Sequence, residues 1–280
     1  MLATVAPYVA GEFDLSSRPL LQARSTLLRQ GSSVLRDAAD GLGPDPELLV
    51  ELGEPAETLT SLAHQRSASL LVMAVPGPSA AAGQLGNAHL MVTGTSPCPV
   101  VMVPSSVVHL PQAAGPILCG VDGSDQSLAA TRVAVELARR LEAPVQLVHV
   151  AEQPRLAGRP GDSRPYGERL VASHAAAIRV LLRASQVPQA ALDLRVERGR
   201  PAERLADIAA REGALLMVTG LRGHGSDHSG RLGSVSSELA STAAQPLVVV
   251  PPDARAGRAS ESSRAGGASS TSWDHRVATA

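Results

Sequence analysis

Two stretches of this chain read alike at one constant offset. Residues 53–73 are GEPAETLTSLAHQRSASLLVM, and residues 199–219 are GRPAERLADIAAREGALLMVT. An offset of 146 aligns Gly53 with Gly199, Pro55 with Pro201, Glu57 with Glu203 and Leu59 with Leu205. Beyond an intervening loop the offset becomes 147, which pairs PVVMVP at 99–104 with PLVVVP at 246–251. Chance likeness between alanine-rich helices does not keep register on both sides of a loop. The chain is therefore two copies of one unit.

The second copy alternates strand with helix. Ile117–Val121 is a short apolar run that ends in Asp-Gly-Ser-Asp. Ser124 or Asp125 caps the helix that follows, with Leu128, Val135, Ala138 and Leu141 expected on one side. Val145–Val150 is the next strand, and a Pro-, Gly- and Arg-rich loop leads to a helix over roughly Tyr166–Ser185. Leu192, Leu194 and Val196 alternate as a strand. Pro201 sits at a helix's first position, where its missing N–H costs little. Strand Ala214–Thr219, a glycine loop, helix Ser234–Ala244 and strand Leu247–Val250 complete the copy. This order implies a parallel sheet with helices on both faces, a doubly wound α/β unit.

The first copy begins later. Ala3–Val9 matches Val145–Ala151, and nothing matches residues 116–144. Either the gene start is placed too late or this domain lacks its first strand and helix. In a doubly wound sheet that strand is central, so its loss leaves a gap or forces its neighbours together. The expected layout is a truncated domain at 1–104, a linker at 105–115, a complete domain at 116–252 and a tail at 253–280. The tail is rich in Ala, Gly, Ser and Arg and holds the chain's only tryptophan, Trp273, among polar residues. It reads as disordered, with a short recognition motif as the alternative.

Composition removes several function classes. Apolar residues make up 44% of the chain and aromatics only 1%, so the core is Ala, Val and Leu. The formal net charge of -1 argues against a polyanion-binding surface, and no nucleic-acid partner is expected. All 25 basic residues are arginine. A chain without lysine has no Walker-type phosphate loop and no Schiff-base or kinase-type lysine. Two cysteines, Cys98 and Cys119, form neither a disulfide framework nor a zinc motif. No apolar run is long enough to span a bilayer and no signal-peptide pattern opens the chain, so a cytoplasmic protein without a membrane partner is expected.

The chemistry concentrates in Gly220–Val235, GLRGHGSDHSGRLGSV. A strand precedes it and a helix follows, which is the order that holds a phosphate group: glycines admit an anion to the backbone, and the helix's first N–H groups point at it. Two residues separate Gly220 from Gly223, nine separate Gly223 from Gly233, and Ser234 follows directly.

The second copy resembles the universal stress protein family. The resemblance rests on this glycine pattern, on Asp122 at the end of the first strand in VDGS, and on the closing PLVVVP. It covers residues 116–252 and, more weakly, 2–104. It implies an open sheet of strand order 3-2-1-4-5 and, for glycine-pattern members, bound ATP with or without magnesium. Carried over, Asp122 would bond the adenine or its surroundings, with Gly120 and Val121 lining the base pocket and Val150 packing on the base. Thr219 and Gly220 would lie under the ribose. Gly223, Gly233, Ser234, Val235 and Ser236 would surround the phosphates. Arg222 and His224 form a second tier, within reach of phosphates or solvated.

Plainer readings stand beside these. Asp122 before Gly-Ser is also a turn and helix cap. Ser124 and Ser127 read as capping residues, His149 and His174 as structural or surface histidines, and Cys119 as a small buried strand residue. In the first copy Ala74 replaces Gly220 and Asn87 replaces Ser234, and the counterpart of Asp122 is missing. That copy reads as a structural partner. It would pair through Val100–Val103 against Leu247–Val250, as family members dimerise, and a homodimer would use the same kind of contact.

The leading expectation is an ATP-binding stress or regulatory protein in which the nucleotide is a ligand with at most slow hydrolysis. The alternatives are an interaction scaffold with a vestigial site, an adenylyl transferase or ATP pyrophosphatase of related architecture, and a phospho-receiver domain. The transferase and pyrophosphatase motifs are replaced here by VDGSDQS and GHGS, and a receiver's lysine is absent.

Overall fold

A computed structural model describes residues 1–6, 18–40, 46–75, 86–107, 115–152, 163–184, 194–224 and 232–252. The tail at 253–280, most of the expected linker and the centre of the glycine loop lie outside the described residues. In the first copy the order is β1 (Leu2–Ala6), α1 (Arg18–Ala39), β2 (Leu48–Leu52), α2 (Pro55–Gln65), β3 (Leu71–Val75), α3 (Asn87–Thr95) and β4 (Val100–Pro104). In the second it is β5 (Ile117–Gly120), α4 (Asp125–Leu141), β6 (Val145–Ala151), α5 (Ser163–Ala184), β7 (Leu194–Arg198), α6 (Pro201–Arg211), β8 (Leu216–Gly220), α7 (Ser234–Thr242) and β9 (Leu247–Val250).

Seven strands form one sheet in the order β3-β4-β9-β8-β5-β6-β7. Within the second copy this is the order 3-2-1-4-5 and every neighbouring pair is parallel. β4 runs antiparallel to β9, with Val100 opposite Val249 and Met102 opposite Leu247. β1 and β2 pair with each other in a separate two-stranded sheet. Among the described residues the first copy's strands thus fall into two sheets, β1 with β2 and β3 with β4.

Period-2 alternation sends the second copy's strand residues into two cores. Leu118, Val148, Val150, Met217 and Val249 pack with Leu205 and Ile208 of α6 and Leu239 of α7. Ile117, Cys119, Leu147, Val218 and Val248 pack with Leu128 and Ala134 of α4 and with Ile178 and Leu182 of α5. Cys119 is a buried strand residue, and burial pushes its thiol up to about 12. Pro55 and Pro201 open α2 and α6 at matching positions of the repeat.

The face expected for α4 needs one correction. Leu128, Thr131, Ala134 and Ala138 are its buried stripe, while Leu141 is 51% exposed. The helix ends at Leu141, and Glu142 takes a left-handed conformation (φ 51°) that turns the chain toward β6. The helix has run out before Leu141 can reach the sheet. Among the described residues, no helix is long and apolar enough to cross a membrane.

Candidate functional site

The carboxyl ends of β5, β6 and β8 and the start of α7 enclose a cavity of about 330 Å³. All eleven residues singled out from sequence line it: Gly120, Val121, Asp122, Val150, Thr219, Gly220, Gly223, Gly233, Ser234, Val235 and Ser236. Arg222 and His224 line it too. The lining also includes residues that sequence reasoning passed over, among them Pro201 and Leu205 of α6 and Glu152 beyond β6. The apolar periodicity of α6 marks Leu205 as core, and only the fold shows that its upper edge reaches the cavity.

Asp122 organises the polar side. Its Oδ1 accepts from Ser124 N at 2.9 Å and from Ser124 Oγ at 2.6 Å. Its Oδ2 accepts from His224 N at 3.0 Å. Burial by itself would raise this carboxyl, but the Ser124 and His224 hydrogen bonds outweigh it and hold the group below the usual carboxylate range. Asp122 therefore makes a turn, as the plainer reading had it, and also ties β5 to the glycine loop a hundred residues on. Ser124 caps α4 by accepting from Ser127 N at 3.2 Å, and Ser127 Oγ accepts from Gly123 N at 3.1 Å.

The loop's two ends are pinned. Leu221 N donates to Val250 O at 2.8 Å, and Gly233 N donates to Leu221 O at 2.9 Å, closing a neck across the loop. Arg222 N donates to Gln126 Oε1 at 2.8 Å. Gln126 was not singled out from sequence; its role depends on α4 lying beside β8.

Two glycines are needed for contacts inside the protein. A Cβ on Gly223 would lie 2.2 Å from Asp122 Oδ2, and one on Gly233 would lie 3.1 Å from Arg222 Cα and 3.3 Å from Leu221 O. Gly233 at the N-cap of α7 has no side chain to cap it, and among the described residues the helix's first N–H groups have no side-chain cap where Ser234, Val235 and Ser236 line the cavity. The Ser236 hydroxyl is committed elsewhere, since it donates to Gly220 O at 2.8 Å and lies 3.2 Å from Thr219 Oγ1. Those two hydroxyls fix strand to helix, which leaves Ser236 its backbone for a ligand.

His149, at the end of β6, is 7% exposed, and its Nδ1 donates to Val121 O at 2.9 Å. Its ring meets His174 edge-on with centroids 5.8 Å apart. Burial lowers its proton affinity more than the Val121 bond raises it. The unfolded chain therefore takes up a proton near pH 6.5 that the folded chain refuses. Stability from this group is complete above that pH and falls as the pH drops below it. Asparagine can keep the bond to Val121 without titrating. His149→Asn is expected to flatten the fall in melting temperature between about pH 6.5 and 5; an unchanged slope would assign the fall to other groups.

The first copy has no such cradle among its described residues. His89 stands at the Ser236 position and its Nε2 donates to Ala74 O at 2.9 Å, the counterpart of the bond from Ser236 to Gly220. An imidazole thus occupies the helix start that the second copy leaves open. Among the described residues, no group of His, Cys, Asp and Glu is placed to hold a metal ion.

The sequence matches the universal stress protein family over residues 3–104 and again over 114–251. The chain belongs to the universal stress protein family. It is 30% identical over 226 residues to a universal stress protein of Mycobacterium tuberculosis, covering 80% of this chain and 74% of that one. It is 31% identical over 225 residues to one from Mycolicibacterium smegmatis, covering 76% and 73%. A universal stress protein structure from Archaeoglobus fulgidus superimposes with a TM-score of 0.60 at 17% identity, covering 89% of this chain and 88% of that one. The tandem α/β architecture is accordingly that of two universal stress protein domains.

Proposed function

We propose that this universal stress protein is a cytoplasmic stress-response regulator that binds ATP, with or without magnesium, in its second domain. The observation that carries the reading is the uncapped start of α7 opening on the same cavity as Val150, Leu205 and Asp122. One end of that cavity suits phosphates and the other suits a flat apolar base. Gly120, Val121 and Val150 would line the adenine pocket, with Thr219 and Gly220 beneath the ribose. Gly223, Gly233, Ser234, Val235 and Ser236 would surround the phosphates through backbone N–H groups and the Ser234 hydroxyl. Asp122, held by Ser124, Ser127 and His224, would position the turn beside the base.

The nucleotide acts here as a ligand that shifts a conformational balance by binding one state more tightly. The chain has no lysine to neutralise a leaving phosphate, and of the cavity carboxylates Asp122 and Glu152, Asp122 is already committed to Ser124 and His224. The first domain, residues 1–104, serves as a structural partner held through β4 against β9. Equilibrium binding of labelled ATP, ADP, AMP and cyclic AMP to the full chain tests the reading. Micromolar ATP affinity with little phosphate release over hours is expected. Absence of adenine-nucleotide binding would sink it, and rapid turnover would replace the ligand reading with an enzymatic one.

A further inference from the structure

The second domain's cavity carries a carboxylate at the end away from α7. Strand β6 ends at Ala151, and Glu152 follows it. Period-2 alternation, carried one residue past the strand, puts Val148, Val150 and Glu152 on one face. Val148 and Val150 share a core with Leu205 of α6, and all four residues line the cavity. Glu152 thus stands at the rim of the apolar slot. β5 separates β6 from β8, so Glu152 lies two strand spacings, about 10 Å, from the strand that leads to the start of α7. That is too far to meet an anion bound at the helix, and it is beside the place where a base would lie.

Glu152 is exposed, and it forms no hydrogen bond or ion pair with another described residue. Asp122, by contrast, is held by Ser124 and His224. Backbone acceptors near the slot are also in use. Val148 O accepts from Val121 N at 2.9 Å, Ala151 O from Gly199 N at 3.2 Å, and Val121 O from His149 Nδ1 at 2.9 Å. Glu152 therefore brings an uncommitted acceptor to an apolar wall. A carboxylate only accepts hydrogen bonds, and it favours a base edge that donates. The 6-amino group of adenine donates. A 6-carbonyl in the same position, as in hypoxanthine, would set oxygen against oxygen.

We propose that Glu152 is a specificity-determining residue of this cavity, accepting a hydrogen bond from the 6-amino group of a bound adenine. The proposal rests on the adenine-nucleotide reading of the second domain and adds to it a side chain that reads the base.

Equilibrium binding to the full chain tests it, with ATP compared against purine riboside triphosphate, which lacks only the 6-amino group. The wild type is expected to prefer ATP by at least about 10-fold, the size of one hydrogen bond to a charged acceptor. Removing a negative charge favours any triphosphate, so the ratio of the two affinities is the readout and not either affinity alone. Glu152→Ala is expected to bring that ratio close to one. Glu152→Gln keeps an acceptor oxygen and should retain most of the preference. Its amide can also turn to donate, so inosine triphosphate should gain affinity relative to ATP. A ratio unchanged in Glu152→Ala would overturn the proposal while leaving the nucleotide site in place. A change confined to the ratio of ATP to 2′-deoxy-ATP would overturn it too, because the carboxylate would then be reading the ribose. Failure of the wild type to bind any adenine nucleotide would instead remove the reading on which the proposal rests, and the proposal with it.

Discussion

Replacing Gly233 with aspartate is expected to weaken ATP binding by at least on the order of 100-fold, about 2.7 kcal/mol. Two effects act together. A Cβ at this position meets Arg222 Cα at 3.1 Å and Leu221 O at 3.3 Å, and both atoms are backbone that belongs to the loop neck. The new carboxylate would also stand at the N-cap of α7, where the proposed phosphates lie. Aspartate is a good helix cap. It would satisfy the N–H groups that the wild-type cavity leaves open and would repel a triphosphate from them. The helix should therefore survive while the anion site closes. Titration with labelled ATP, alongside thermal unfolding of the same variant, separates the two effects. Wild-type affinity in Gly233→Asp would place the nucleotide elsewhere.

Gly223→Ala should be a stability variant whose cost depends on Asp122. The added methyl would sit 2.2 Å from Asp122 Oδ2, too close for any real contact. Either the loop withdraws or the carboxylate turns away from His224 N. Overpacking of this kind costs about 1–3 kcal/mol. Asp122→Ala removes the hydrogen bonds to Ser124 and His224 and has its own cost, but it also removes the atom that the methyl would strike. The two changes should therefore be strongly non-additive. The double variant is expected to be more stable than the sum of the singles by about 1 kcal/mol or more. Urea unfolding of the four proteins measures this directly. Additive losses would mean that the loop relaxes away from β5 at no cost.

Much of this was legible before the fold was known. The constant offset located both copies, and the strand–loop–helix order located the cavity. Residues as distant as Asp122 and Gly233 line it together because strands β5 and β8 are neighbours. What the sequence did not carry was the use made of each side chain. Gln126 lies 96 residues from Arg222, and nothing in local spacing ties its amide to that backbone. The Ser236 hydroxyl was a reasonable phosphate donor until its bond to Gly220 O came into view. The glycines were read as openings for a ligand, yet Gly223 is required by a carboxylate of the protein's own. Helix periodicity likewise placed Leu141 on the buried side, because it gives the angle of a residue about the axis and not where the helix stops.

The hydrogen bond from Gly233 N to Leu221 O bears on how such a protein can change. It brings the two ends of the connection between β8 and α7 together at Leu221 and Gly233. The entropy of closing a loop grows only slowly with length, by about 0.6 kcal/mol for each doubling. A change in the length of that connection therefore adds little closure entropy, whereas a residue held against the body, such as Gly223 beside Asp122, stays constrained. The neck thus separates the cost of loop length, which is small, from the cost of changing the individual residues that the loop presses against β5 and α4.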